Sequence, residues 1–136
     1  MVDQEIASFL SELHVGILSI PREGRAPHST PVWYRYESDN TIWFLADSNS
    51  QKGRLLSVGA KLSFVVQSEK IPYQYVSMEG IVTDISRGDI ESDLRPIARF
   101  YLGEKAGDEY VSQSGETTGN RYIIGINKIM SYGVKN

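Results

Sequence analysis

The stretch SNSQKGR, residues 48–54, combines residue types at a spacing that can hold a phosphate. Two hydroxyls, at Ser48 and Ser50, precede two cations, Lys52 and Arg54. If a helix begins here, its unpaired N–H groups and the positive end of its dipole attract an anion. The same residues also suit a plain helix start, with Ser50 as the N-cap and both cations in water. Spacing alone slightly favours the plain start, and both interpretations stay open.

A second candidate site is the run Thr30, Pro31, Val32 and Trp33. Proline has no N–H to give to a strand ladder, so Pro31 indicates an edge strand or a bulge. The free backbone groups of such an edge, beside an apolar wall, can bind the polar rim of a flat heterocycle. An ordinary edge strand with Trp33 in the core explains the same residues.

Other catalytic patterns are weak. The two histidines, His14 and His28, have no carboxylate at ligand spacing, and a zinc site needs three or four converging ligands. The acidic residues Asp89, Glu91 and Asp93 lack the pattern of a calcium loop and are typical of helix capping and solvated charge. No nucleophile elbow or Ser-His-Asp order is present. The sequence therefore predicts neither a metal site nor a hydrolase, and leaves the catalytic residues unknown.

Composition sets broad limits. The 136 residues are expected to form one domain, residues 1–136. A net charge of −3 without runs of like charge argues against a nucleic-acid partner. The absence of cysteine excludes disulfides and thiolate chemistry. The start of the chain does not resemble an export signal and no long apolar run occurs, so we expect a cytoplasmic protein with no membrane partner.

Hydrophobic periodicity predicts a mainly β protein with short helices. Short, turn-rich connections require antiparallel pairing, which predicts a six-stranded, closed or nearly closed barrel. Asp3 is the predicted N-cap of the first helix, Gly80 predicts a bulge within a long strand, and Pro96 suits only the first turn of a helix. Residues 103–119, which are polar and rich in glycine, are predicted to form a loop. The predicted strands are residues 15–20, 29–36, 41–46, 61–68, 73–85 and 121–130, and the predicted helices are residues 4–13, 50–58 and about 93–102.

Taken together, these segments resemble the pyridoxamine 5′-phosphate oxidase-like split-barrel superfamily, in particular its flavin/deazaflavin oxidoreductase branch. The resemblance covers about 110 residues and depends on the order and spacing of its motifs. These motifs are VGILSI (15–20), PHSTPVWY (27–34), IWF (42–44) leading to SQK (50–52), PYQYVSMEG (72–80), IARFYLG (97–103) and the last strand.

The resemblance implies a homodimer of six-stranded split barrels with a cofactor in each cleft at the interface, acting on a small-molecule substrate. The cofactor it implies is FMN or coenzyme F-420, with haem as a lesser alternative. The phosphate would be bound by Ser48, Ser50, Lys52 and Arg54, and the ring would lie against Thr30, Pro31, Val32 and Trp33. Tyr73 and Tyr75 would close the cleft from the other subunit.

The chain also departs from the family pattern. An asparagine common after Lys52 is absent, Ala46 replaces a hydroxyl residue, and Gln74 and Met78 replace basic residues. The local motifs favour F-420, whereas the low positive charge favours FMN, so the cofactor stays open. The arginine-rich motifs of true pyridoxamine phosphate oxidase are not recognisable. The resemblance predicts a hydride-transferring oxidoreductase. The alternative is a carrier that binds flavin or haem without turnover.

Overall fold

A computed structural model describes residues 2–115 and 118–134 of the chain. Its centre is one antiparallel sheet in the strand order β2-β1-β5-β6-β7-β4-β3. The strands are β1 Gly16–Arg22, β2 Arg25–Val32, β3 Arg35–Glu37, β4 Thr41–Ala46, β5 Lys61–Ser68, β6 Gln74–Arg87 and β7 Asn120–Tyr132. The helices are α1 Gln4–Ser11, α2 Gln51–Leu55, α3 Arg95–Leu102 and α4 Glu104–Gln113, with a π-helical turn, Ile90–Leu94, directly before α3.

The prediction of a mainly antiparallel β fold with short helices is confirmed, but the predicted six-stranded, closed or nearly closed barrel is wrong in its strand number and its closure. The sheet has seven strands and is open, because β2 and β3 occupy its two edges and do not pair with each other. Both come from the single strand predicted over residues 29–36, which is broken at Trp33 and Tyr34. The position of Pro31 on an edge strand agrees with the sequence prediction.

The strand breaks at Tyr34 because a side chain from α3 binds its backbone. The Tyr34 N–H donates to the hydroxyl of Tyr101 at 3.1 Å. The same hydroxyl lies 2.6 Å from the His14 carbonyl oxygen and 3.0 Å from the Tyr34 carbonyl oxygen, to which it can donate. Burial raises the pKa of Tyr101, so the proton needed for this donation is retained. Tyr101 thus replaces the strand partner that Tyr34 would otherwise need.

Strand β4 is buried on both faces. Ile42, Phe44 and Ala46 point into the main core inside the curved sheet. Trp43 and Leu45 point the other way, into a second apolar cluster formed with α3 and α4. This explains the unbroken apolar run in β4, because a strand with one solvated face would alternate instead. The predicted bulge at Gly80 is confirmed by a shift in the β6–β7 register between Glu79 and Gly80.

The helix starts follow their predicted capping residues. Asp3 caps α1, with its side chain accepting the Ile6 N–H at 2.9 Å. Pro96 lies in the first turn of α3, as its missing N–H requires. The prediction of a loop over residues 103–119 is wrong for its first part, which forms α4.

Helix α4 is fixed to α3 by a close backbone contact and by ion pairs. Gly107 lies so near α3 that a Cβ there would be 2.7 Å from the Arg99 Cα atom. Beside it, Asp108 Oδ1 accepts hydrogen bonds from Arg95 at 2.7 Å and Arg99 at 2.8 Å. The two guanidinium groups lower the pKa of Asp108 to about 2. These tertiary contacts stabilise a helix that has weak capping of its own.

No helix within residues 2–115 and 118–134 is both long enough and apolar enough to span a membrane.

Candidate functional site

A cleft of about 480 Å³, the main cleft, opens where the ends of β2 and β4 meet α2 and the α3–α4 pair. Its volume is in the range of cofactor and ligand sites. The described side chains that line it are Val15, Pro31, Val32, Trp33, Leu45, Ala46, Asp47, Ser50, Lys52, Leu94, Ile97, Tyr110 and Thr118.

One side of the main cleft is an apolar wall. The strand break leaves Pro31, Val32 and Trp33 at the open end of β2. Trp33 is only partly buried, and its indole stacks on Tyr101 at 5.1 Å between ring centroids, with 6° between the planes. Tyr110 contacts the same indole at 5.2 Å and also lines the cleft. The wall is therefore aromatic and held from behind, which suits a flat ring.

The main cleft also has polar and charged lining residues. Among them are Lys52, Asp47 and Ser50, which carry a cation, a carboxylate and a hydroxyl. That hydroxyl has partners already: it donates to the Asp47 carbonyl oxygen at 2.6 Å and accepts the Gly53 N–H at 3.1 Å. Ser50 is thus the N-cap that the plain interpretation predicted, while Lys52 lies beside the cleft as the phosphate interpretation requires.

The turn before α2 is unusually tight. A Cβ atom on Gly53 would lie 2.1 Å from the Asp47 carbonyl oxygen, which also accepts the Ser50 N–H at 3.0 Å. No side chain fits at Gly53 without opening this turn. The glycine therefore sets the position from which Lys52 reaches the cleft.

A second, more polar cavity of about 510 Å³, the Arg87 cleft, adjoins the main cleft. Asp47 and Thr118 line both cavities. The other described residues around the Arg87 cleft are Ser48, Asn49, Arg87, Gly88, Gly119 and Asn120. Ser48 thus lines the Arg87 cleft, whereas Lys52 lines the main cleft.

The structure brings half of the predicted site residues to the main cleft: Pro31, Val32, Trp33, Ser50 and Lys52. Thr30 and Arg54 are not among the lining residues, and Arg54 is exposed on the far side of α2. Tyr73 and Tyr75 are exposed by 62% and 38% and lie outside this cleft within one chain. Their predicted role involves a second subunit and stays a prediction.

Sequence reasoning missed the contribution of α3, α4 and the segment after α4. Leu94, Ile97, Tyr110 and Thr118 line the main cleft, although none was a candidate. Ile97 lies in the helix predicted over about residues 93–102, but hydrophobic spacing does not show which element that helix packs against. Tyr110 and Thr118 belong to the stretch that was predicted to be a loop.

The sequence matches one known protein family. The family model for pyridoxamine 5′-phosphate oxidase matches residues 2–127. The chain belongs to this family. No curated protein matches this chain at a significant level.

Three solved structures share the fold of this oxidase-family member. The conserved hypothetical protein Rv2991 of Mycobacterium tuberculosis is 23% identical, with 97% of this chain and 84% of that chain covered and a TM-score of 0.72. A structure named as an F-420 reductase is 21% identical, with 90% and 94% covered and a TM-score of 0.61. The FAD binding protein of Mycobacterium smegmatis is 11% identical, with 97% and 96% covered and a TM-score of 0.63.

The acidic residues Asp89, Glu91 and Asp93 bind partners within the fold. Within residues 2–115 and 118–134, no three histidine, aspartate or glutamate side chains cluster closely enough to hold a metal ion. Asp89 instead caps the π-helical turn, where its carboxylate accepts the Ser92 N–H at 2.8 Å. This hydrogen bond lowers the pKa of Asp89.

Proposed function

We propose that this protein binds a phosphate-bearing flavin or deazaflavin in the main cleft and acts as an oxidoreductase on a small, planar organic substrate. The observation that carries the proposal is that aromatic and aliphatic residues and a lysine line the same cleft. The fold relatives support it, because one is named as an F-420 reductase and another as an FAD binding protein.

The cleft residues fit the parts of such a cofactor. Pro31, Val32 and Trp33 present a flat apolar surface and a strand edge for the ring. Lys52 supplies a charge-assisted contact for a phosphate. The carboxylate of Asp47 can accept hydrogen bonds from hydroxyls between ring and phosphate.

The bound cofactor would supply the hydride chemistry, and the chain would bind, orient and shield it. Among the five ion pairs of the described residues, none joins two residues of the main cleft. A protein whose role is to bind and orient a cofactor needs no pair of charged side chains in its cleft for proton transfer. The same observation favours the second candidate function, a carrier that binds flavin or haem without turnover.

One experiment separates these functions. The purified protein is titrated with FMN, FAD, F-420 and haem, and loaded protein is then mixed with the matching reductant and a panel of quinones, enones and tetrapyrroles. We expect a flavin or F-420 to bind and reductant to be consumed with at least one acceptor. Binding without consumption would identify a carrier. If none of the four compounds binds, both proposed functions are contradicted.

We also propose that the protein is a homodimer, formed by the outer face of the sheet. Strand pairing places the outward side chains of β1 and β5 beside those of β6 and β7. Ile17, Met130 and Tyr132 are exposed by 42%, 62% and 63%, and Tyr132 stacks on Tyr75. Between Ile17 and Met130 the paired strands place Val65 and Ser77. Large apolar side chains exposed on one face of a sheet indicate an interface. The surface reaches Val15 and Pro31 at the main cleft, so a second copy there would also border the cofactor.

Light scattering tests the dimer. We expect twice the 15.3 kDa chain mass at micromolar concentration. Tyr132→Glu should lower this mass toward that of one chain, because dimerisation would bury the new charge. Lys105→Glu, an exposed position on α4 and not on the outer face of the sheet, is the matched control. A wild-type protein that stays monomeric would contradict the dimer.

A further inference from the structure

The Arg87 cleft has no role in the function proposed above. It directly continues the main cleft, because Asp47 and Thr118 line both cavities. The two cavities differ in character: the main cleft is mostly apolar, whereas the Arg87 cleft is lined by hydroxyl, amide and guanidinium side chains, the shared carboxylate of Asp47 and two glycines. A ligand with its ring in the main cleft and its phosphate near Lys52 would have the Arg87 cleft next to its charged end.

The charges of the two clefts favour an anion that extends past Lys52. Within the main cleft, the charge of Lys52 is balanced by that of Asp47. A phosphate monoester carries about 1.5 to 2 negative charges at pH 7, so the main cleft alone does not neutralise it. Arg87 is the cation of the adjoining cleft, which Asp47 also lines. Together, the described residues of both clefts have one more positive than negative charge.

Arg87 is available for binding. It is exposed, and none of the ion pairs found in the described residues involves it. A guanidinium that forms no ion pair within residues 2–115 and 118–134 offers paired donors that match the geometry of a phosphate or carboxylate.

The backbone around Arg87 is closely packed. Arg87 pairs with Asn120 in the β6–β7 ladder, and the Gly88 N–H donates to the Gly119 carbonyl oxygen at 3.0 Å. A Cβ atom on Gly88 would lie 2.2 Å from Thr118 Oγ1, and one on Gly119 would lie 2.4 Å from the Ala46 carbonyl oxygen. The cleft therefore has a fixed floor of main chain at the end of two paired strands.

We propose that the Arg87 cleft is an anion-binding subsite for the charged tail of the cofactor, beyond its first phosphate. This inference rests on the proposed function. The chemistry recognised is an anionic group attached to a flavin or deazaflavin phosphate, either a second phosphate, as in FAD, or carboxylates, as in F-420. The subsite gives the protein a preference among cofactors that share the same ring.

The test is calorimetric titration of wild type, Arg87→Ala and Arg87→Lys with FMN, FAD and F-420. We expect Arg87→Ala to weaken binding of FAD, F-420 or both by about tenfold, and binding of FMN by less than about twofold. The cofactor affected identifies the tail as phosphate or carboxylate. Arg87→Lys should restore part of the loss, because it keeps the charge without the paired donors. Arg25→Ala is the control, since Arg25 is an exposed arginine at the opposite end of β2.

Two results would overturn the subsite. In one, Arg87→Ala weakens the binding of FMN as much as the binding of FAD and F-420, which would place the first phosphate at Arg87. In the other, Arg87→Ala leaves all three affinities unchanged. Failure of the wild type to bind any of the three is a different result, because it contradicts the proposed function itself.

Discussion

Lys52→Ala should weaken FMN binding by about 1 to 3 kcal/mol, or about 5- to 150-fold, as expected for the loss of a charge-assisted hydrogen bond. Lys52 is the one cation among the described residues that line the main cleft. Its removal would leave the carboxylate of Asp47 beside the phosphate without compensation. Calorimetry or flavin fluorescence measures the change.

Two controls make the Lys52 prediction specific. Arg54→Ala removes the same charge from the same helix, but Arg54 is exposed and outside the cleft, so FMN affinity should stay within about twofold. Riboflavin has the ring without the phosphate, and its affinity should be equal in wild type and Lys52→Ala. Unchanged FMN affinity in Lys52→Ala would mean that the phosphate lies elsewhere.

Gly53→Ala should destabilise the protein by about 1 to 3 kcal/mol and reduce FMN binding, even though alanine is the better helix former by about 1 kcal/mol. The added Cβ would fall 2.1 Å from the Asp47 carbonyl oxygen and force the turn open. That movement displaces both Ser50, which binds the same carbonyl, and Lys52. Denaturant unfolding and FMN titration measure the two effects.

Gln51→Ala is the matched control for Gly53→Ala. Gln51 is exposed in the same short helix, so its truncation adds no clash and should change neither stability nor FMN affinity appreciably. A Gly53→Ala protein that is more stable than wild type would show that helix propensity dominates and that the turn can relax.

Local features of the fold could be read from the sequence. The caps at Asp3 and Ser50, the first-turn Pro96 and the bulge at Gly80 all depend on residues whose backbone chemistry acts nearby. The two errors depend on distant contacts. The strand predicted over residues 29–36 is broken by Tyr101, and α4 is stabilised by contacts of Gly107 and Asp108 with α3. Hydrophobic spacing indicates neither the contact of Tyr101 with the strand nor the contacts of α4 with α3.

The candidate site shows the same division. Residues at the end of β2 and the start of α2 were identified because Pro31 and the run of hydroxyls and cations are local signals. Tyr110 was missed because it reaches the cleft only through the docking of α4. Arg87 was missed because nothing near it in sequence indicates that β6 ends beside Asp47.

The hydroxyl of Tyr101 couples the motion of α3 to the motion of the cleft wall. It connects α3 to the segment before β1, through the His14 carbonyl, and to the break between β2 and β3, through Tyr34. Trp33 also rests on its ring. A fluctuation that lifts α3 must therefore release the aromatic wall of the cleft and both free edges of the sheet at once. The α3–α4 pair and the cleft wall should open and close as one cooperative unit, so the lifetime of that unit sets an upper limit on how long a bound ring stays enclosed.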